Sequence, residues 1–225
     1  MLCWVIQVRR KGCGRSCLLR KKSDGICLEH DVLDRLPLPT ANLSQLEGPN
    51  DSRLFFRVDG CGLASGSLLQ SFATALERLG VVGTFFLLPP GSYSQVVDGQ
   101  LEGDAENYFG RWEDYLLEPD PNLGGLVVSI LQSGHEVGLH NDSITLALTR
   151  RISLTDVLNQ CLAPLRTAGA NVRGSAAHGS ALARRLVYNN REIFRGVERP
   201  GRDPDRYVSF EGFHVKLGEL SMCDF

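Results

Sequence analysis

Residues 133–142 read SGHEVGLHND, a short stretch that holds two histidines, two carboxylates and two glycines. The preceding segment 126–131 (LVVSIL) has apolar residues at i, i+1, i+4 and i+5, a spacing that predicts one face of a helix. The glycine after it predicts the end of that helix. Residues 136–139 then predict a short buried strand with His140 at its carboxyl end. Ligands of parallel α/β sheets bind beyond the carboxyl ends of strands, which favours a functional role for His140 rather than for His135.

The chain before this stretch predicts a βαβ unit. Residues 54–59 (LFFRVD) predict a strand that ends in a carboxylate, Asp59. Residues 67–79 have the apolar periodicity of an amphipathic helix, and the glycine that follows predicts its cap. Residues 81–88 (VVGTFFLL) predict a second buried strand. Short connections between these elements favour a parallel pair of strands.

The chain after this stretch predicts a further helix and strand. Residues 153–165 have an apolar stripe at helical spacing, with Ser153 or Thr155 as N-cap. Residues 172–177 predict a short strand of small residues that leads to His178. The alternation of strands and helices predicts an α/β fold.

Three predicted strands therefore end in Asp59, His140 and His178. A carboxylate and two imidazoles that converge from separate strand ends suit a borderline divalent metal such as zinc. The alternative interpretation is that the histidines are structural and hydrogen-bonded within the core.

The composition predicts an ordinary globular chain in a reducing compartment. It has 225 residues, 43% of them hydrophobic, and a net charge of -2, which indicates no general affinity for nucleic acid. We expect no membrane span and no signal peptide, because no apolar run is long enough and the start lacks a basic segment. Seven cysteines favour reduced thiols over a disulfide framework, so we expect a cytoplasmic location.

Residues 1–50 are interpreted as a basic, Cys-containing N-terminal extension and linker, and residues 51–225 as the folded domain. Two interpretations of the extension stay open. The thiols and imidazole of Cys13, Cys17, Cys27 and His30 could form a zinc knuckle, or the segment could be a solvated extension.

The long connection 92–121 is rich in aromatic residues. Irregular segments after a parallel strand often bind ligands. Tyr93 and Trp112 are candidate substrate-binding residues that could stack on sugar rings. Packing of these aromatic side chains against the mouth of the sheet is the alternative.

Four motifs, in order, resemble those of the polysaccharide deacetylase (NodB-homology, carbohydrate esterase type) family. They are FRVDGC (56–61), VGTFF (82–86), GHEVGLH (134–140) and AHGS (177–180). The resemblance extends from about residue 54 to the end of the chain. It implies a distorted (β/α) barrel and a divalent metal, most simply zinc. It also implies a hydrolase that removes acetyl groups from N-acetylated sugars or a polysaccharide by cleaving a non-peptide C–N bond.

The resemblance also implies residue roles. Asp59 matches the family's general base, and Cys61 falls where the family places an aspartate ligand. His140 matches the first metal-binding histidine, and His178 matches the histidine that completes the site in one branch of the family. Asp142 is a candidate extra ligand.

The sequence departs from the family at Cys61 and at Ile144, where many members have a second histidine. These departures predict an alternative function, a catalytically impaired barrel that binds carbohydrate or a partner. Family barrels continue through further strands, one of which supplies the leaving-group acid. Because the sequence stops at Phe225, we expect a barrel that is incomplete at its C-terminus, with His214 as the candidate acid.

Overall fold

The computed structural model describes residues 54–60, 66–88, 122–196, 203 and 205–221, together with short strands at 7–8, 17–18 and 40–41. The strands in chain order are β1 Gln7–Val8, β2 Cys17–Leu18, β3 Thr40–Ala41, β4 Leu54–Phe55, β5 Arg57–Gly60, β6 Thr84–Leu87, β7 Glu136–Asn141, β8 Ser175–Ala177, β9 Tyr207–Phe210 and β10 Phe213–Lys216. The helices are α1 Gly66–Arg78, α2 Leu123–Gln132, α3 Ser143–Arg150, α4 Leu154–Thr167 and α5 Ala181–Arg185, followed by a 3₁₀ helix at Asn190–Ile193.

The centre of the fold is a parallel sheet of four strands in the order β5–β6–β7–β8. Each strand lies beside the strand that precedes it in the chain, as in a barrel, whereas the strand order of a doubly wound sheet reverses. The sheet curls into a half-barrel, and the described residues form no complete barrel. The predicted α/β class is therefore confirmed.

The two faces of this sheet differ in polarity. Parallel pairing aligns Asp59 with Phe86 and Phe86 with Gly138, so these residues share one face. The other face packs on the helices, for example where the Phe85 ring meets Phe72 of α1 with ring centroids 6.3 Å apart. Its buried apolar side chains are Val58, Phe85, Leu87, Val137 and Leu139. The face with Asp59 and Phe86 is called the inner face below. Its residues are Arg57, Asp59, Thr84, Phe86, Glu136 and His140.

Helices α2 and α4 form where the apolar periodicity predicts them. In α2 the buried side chains are Leu123, Leu126, Val127 and Ile130. Gly134 follows with φ +78°, a conformation that favours glycine and turns the chain into β7. In α4 the Ser153 side chain accepts a hydrogen bond from the Asp156 N–H at 3.1 Å, so Ser153 is the N-cap.

Several elements differ from the prediction or were not predicted. The strand expected at 172–177 is shorter, because β8 covers Ser175–Ala177, and helix α5 was not predicted. The strand expected at 81–88 is shorter, because β6 covers Thr84–Leu87. Helix α3 was not predicted; it has eight residues, fewer than the roughly 10–12 over which a helical period is recognised in a sequence. The antiparallel hairpin of β9 and β10 was also not predicted.

The proposed boundary at residue 50 is crossed by backbone pairing. Strand β3 pairs in parallel with β4, which aligns Thr40 with Leu54 and Ala41 with Phe55. Strands β1 and β2 pair antiparallel. The zinc knuckle predicted at Cys13, Cys17, Cys27 and His30 lies outside the residues whose side chains are described, and the division into extension and domain stays a prediction.

Candidate functional site

The three residues predicted to converge lie at one edge of the sheet. Asp59, His140 and His178 stand at or just beyond the carboxyl ends of β5, β7 and β8. All three side chains are buried. Because parallel strands present their carboxyl ends at the same edge, this edge is the candidate site.

The two histidines are direct neighbours. Strand β8 pairs with β7 so that His140 is aligned with Ala176, and His178 follows two residues later on the same side of the strand. The His178 backbone N–H donates to the Asn141 carbonyl at 2.8 Å and continues this pairing. The two imidazole rings lie edge to face with centroids 4.9 Å apart. The fold therefore brings together side chains that are 38 positions apart in the sequence.

His140 is held as a neutral imidazole. Burial lowers the pKa of His140 well below its ordinary value, and the neighbouring His178 and Arg57 lower it further. Hydrogen bonds to the backbone of Gly60 and Ala177 oppose this shift without cancelling it. The neutral form of imidazole is the one that binds divalent metals.

Asp59, the predicted general base, is clamped by an arginine on its own strand. Arg57 and Asp59 are two residues apart and so point to the same face of β5. Arg57 Nε donates to one carboxylate oxygen and its terminal nitrogen to the other, both at 2.7 Å. The guanidinium also lies over the Phe86 ring, 5.4 Å from its centroid. This bidentate pair fixes the orientation of the Asp59 carboxylate.

Asp142, the predicted extra ligand, faces protein groups with both oxygens. Its Oδ2 lies 3.4 Å from Nδ1 of His178. Its Oδ1 accepts hydrogen bonds from the Thr145 hydroxyl at 2.5 Å and from the Asn190 carboxamide at 2.7 Å. The carboxylate is fully buried, beside His178 at the start of α3.

A buried polar cluster around Asp142 was not predicted from the sequence. The Thr145 hydroxyl contacts the Tyr188 hydroxyl at 2.7 Å and the Ser180 hydroxyl at 2.9 Å. Burial raises the pKa of Tyr188 above its ordinary range, and the Asp142 charge adds to the shift. The capping pattern at Asn189 and Glu192 signals the 3₁₀ helix, but no local pattern signals that Asn190 reaches Asp142.

Several predicted residues lie elsewhere. Ile144 is buried in α3, and its backbone N–H donates to Asn190 Oδ1 at 2.9 Å. His214 lies on β10, where its Nδ1 is 2.6 Å from the exposed Ser209 hydroxyl. The candidate ligand and the two candidate substrate-binding residues lie outside the described residues; they are Cys61, Tyr93 and Trp112.

His135 and Cys161 have positions that indicate structural roles. His135, the residue not expected to be functional, has Nε2 2.8 Å from the Ala73 carbonyl, and its ring packs on Phe85 with centroids 5.1 Å apart. Cys161 is buried in α4 and is not part of a disulfide. Burial raises the pKa of its thiol to about 12, so it stays protonated at neutral pH.

Two of the predicted metal ligands, His140 and His178, are adjacent. The lowered pKa of His140 favours its neutral form, which is the form that binds metals. Among the described side chains, no group of three or more His, Cys, Asp or Glu has an arrangement that could hold an ion. A third ligand would therefore have to come from another part of the chain, and the candidate is Cys61, which follows β5 in the sequence.

Comparison with family models, curated proteins and solved structures finds no match for this chain. The resemblance to polysaccharide deacetylases therefore depends on the four sequence motifs. Within the described part of the chain, no helix combines the length and the apolar character needed to cross a bilayer. The cytoplasmic location and the absence of nucleic-acid binding stay predictions.

Proposed function

We propose that this protein is a metal-dependent hydrolase that removes acetyl groups from an N-acetylated sugar or polysaccharide, on a distorted (β/α) barrel of the polysaccharide deacetylase type. The observation that supports this proposal most is the buried pair His140 and His178, whose rings lie 4.9 Å apart at the carboxyl edge of a parallel sheet. This is the edge at which such sheets carry their active sites.

In this proposal His140, His178 and Cys61 hold the metal. Zinc accepts imidazole and thiolate ligands together. Asp142 fits better as a partner of His178 than as a ligand, because its oxygens are directed at Thr145, Asn190 and His178. When bound, the metal supplies Lewis-acid polarisation of an acyl carbonyl and makes a nearby water more acidic.

Asp59 is the base in this proposal. Hydrolysis adds a water oxygen to the acyl carbon and breaks the C–N bond, and it releases acetate and the amine. Asp59 would accept the proton that the water loses, and Arg57 would hold the carboxylate in position through the two 2.7 Å contacts. Tyr93 and Trp112 would stack on the sugar.

A specific observation favours a second candidate function, a catalytically impaired barrel that binds carbohydrate or a partner. Both oxygens of Asp59 already accept hydrogen bonds from Arg57. The carboxylate must share or loosen this ion pair before it can take a proton. If it does not, the site binds without turnover.

The first test is the metal content of the purified protein, with His140→Ala and His178→Ala as variants and His214→Ala as the matched control. We expect stoichiometric zinc in the wild type and the control, and loss of zinc in the two site variants. Acetate release from acetylated chitooligosaccharides measures turnover, and Asp59→Asn should abolish it while the metal is retained. Metal-free wild-type protein contradicts the hydrolase proposal. Bound metal and sugar without acetate release would support the second candidate.

A further inference from the structure

Asn190 connects three elements of the site through four hydrogen bonds. It is fully buried in the first position of the 3₁₀ helix. Its side-chain nitrogen donates to Asp142 Oδ1 at 2.7 Å and to the His178 carbonyl at 2.9 Å. Its side-chain oxygen accepts from the Ile144 N–H, and its carbonyl accepts from the Asn141 carboxamide, both at 2.9 Å. The ends of β7 and β8 and the start of α3 therefore share one residue.

The two oxygens of the Asp142 carboxylate face different kinds of partner. Burial of a carboxylate is costly unless it is hydrogen-bonded or paired with a charge. Oδ1 accepts from the neutral donors Asn190 and Thr145, whereas Oδ2 accepts no hydrogen bond within the described part of the chain and faces His178 Nδ1 at 3.4 Å. The donors on Oδ1 therefore determine the direction in which Oδ2 points.

A carboxylate beside Nδ1 favours the tautomer that carries its proton on Nδ1. Metal-binding histidines commonly donate their second N–H to a carboxylate in this manner, which fixes the ring and raises its basicity. The 3.4 Å separation exceeds the roughly 2.7–3.2 Å of a direct N–H···O bond. At this distance the carboxylate acts on the imidazole through its charge rather than through a direct hydrogen bond.

We propose that Asn190 is a positioning residue, whose carboxamide holds Asp142 beside Nδ1 of His178 and so favours the tautomer of His178 that carries its proton on Nδ1. The effect on the tautomer follows from this geometry alone, whereas the effect on metal affinity rests on the proposed function.

The side chain at position 190 has to be a carboxamide. It supplies two donors, to Asp142 and to the His178 carbonyl, and one acceptor, to the Ile144 N–H. Aspartate would place a second carboxylate 2.7 Å from Asp142 and lose both donors. Alanine would leave three buried polar groups without this partner, and the Asp142 carboxylate would be free to turn.

The test measures the tautomer of His178 directly, in metal-free protein labelled with ¹⁵N-histidine, by long-range ¹H–¹⁵N correlation. We expect the Nδ1–H tautomer in the wild type and a mixture of tautomers in Asn190→Ala. Asp142→Asn places an amide donor beside Nδ1 and should shift the proton to Nε2. The matched control is Asn189→Ala, which removes the same side chain from the neighbouring position, where it caps the 3₁₀ helix by accepting from the Arg191 N–H at 3.0 Å.

Zinc affinity, measured by competition with a chelating dye, gives the second readout. Loss of such a partner commonly lowers metal affinity about 10- to 100-fold, which we expect for Asn190→Ala but not for Asn189→Ala. Equal tautomers and equal affinities in these two variants would overturn the role of Asn190. If the wild type binds no zinc but the tautomer shifts as expected, positioning by Asn190 stands and the proposed function fails. If Asn190→Ala does not fold, the tautomer of His178 in Asp142→Asn provides the test. An unchanged Nδ1–H tautomer in Asp142→Asn would contradict the proposal.

Discussion

Replacement of Gly138 by alanine tests how tightly the inner face of the sheet is packed. A Cβ atom at this position would lie 2.6 Å from Cδ1 and Cε1 of Phe86 and 3.0 Å from the Gly174 carbonyl oxygen. The Phe86 ring is buried and has the Arg57 guanidinium 5.4 Å from its centroid. Neither the ring nor the backbone carbonyl can move away without disturbing the residues beside Asp59, so the added methyl group overpacks this face.

We expect Gly138→Ala to lower the free energy of unfolding by about 1–3 kcal/mol, the usual cost of extra methyl groups in a packed core. For a chain of this size, each kcal/mol corresponds to roughly 2–4 °C in the melting temperature. The expected decrease is therefore on the order of 2–12 °C.

Urea and thermal denaturation, followed by circular dichroism, measure this change. The matched controls are Gly124→Ala and Gly125→Ala in α2, where an added Cβ meets nothing within 4 Å and the substitution should raise stability by up to about 1 kcal/mol. Phe86→Leu combined with Gly138→Ala should recover part of the loss, because a smaller side chain relieves the contact. A Gly138→Ala protein as stable as the two controls would refute the argument.

Two further predictions concern backbone strain and pH. Val187 is a β-branched residue with φ +57°, a strained conformation that Val187→Gly would relieve. Glycine also adds entropy to the unfolded chain, so we expect a net rise in the free energy of unfolding of about 0.5–1 kcal/mol. A lower urea midpoint than that of the wild type would contradict this. Burial lowers the pKa of His135 in the folded protein, so the unfolded chain binds the proton more readily. The stability that depends on a neutral His135 is therefore present above about pH 6.5 and is lost as the pH falls below it. His135→Gln keeps a donor for the Ala73 carbonyl but does not titrate, so its urea midpoint should fall less than that of the wild type between pH 7.5 and 5; equal slopes would show that His135 is not responsible.

The elements that the sequence predicted well are those whose signals are local. The apolar spacing in 126–131 and the glycine after it predicted α2 and its end. Of the two candidate N-caps of α4, Ser153 and Thr155, the structure has Ser153. Helix α3 was not predicted because its eight residues are too few for a helical period to stand out in the sequence, so its formation depends on packing. The length of β6 also depended on pairing, since only the part that aligns with both β5 and β7 forms the strand.

By itself, the sequence determined that Asp59, His140 and His178 follow strand-like runs, because strand ends and chain order are local properties. The tertiary structure decided what surrounds them. The contact of His140 with His178 depends on the register of β7 and β8, and the contact of Asp142 with Asn190 joins residues 48 positions apart. Hydrogen bonds between buried polar groups at such separations leave no periodic trace in the sequence. Only the folded chain shows that the candidate ligand Asp142 is held beside His178 by an asparagine that no motif includes.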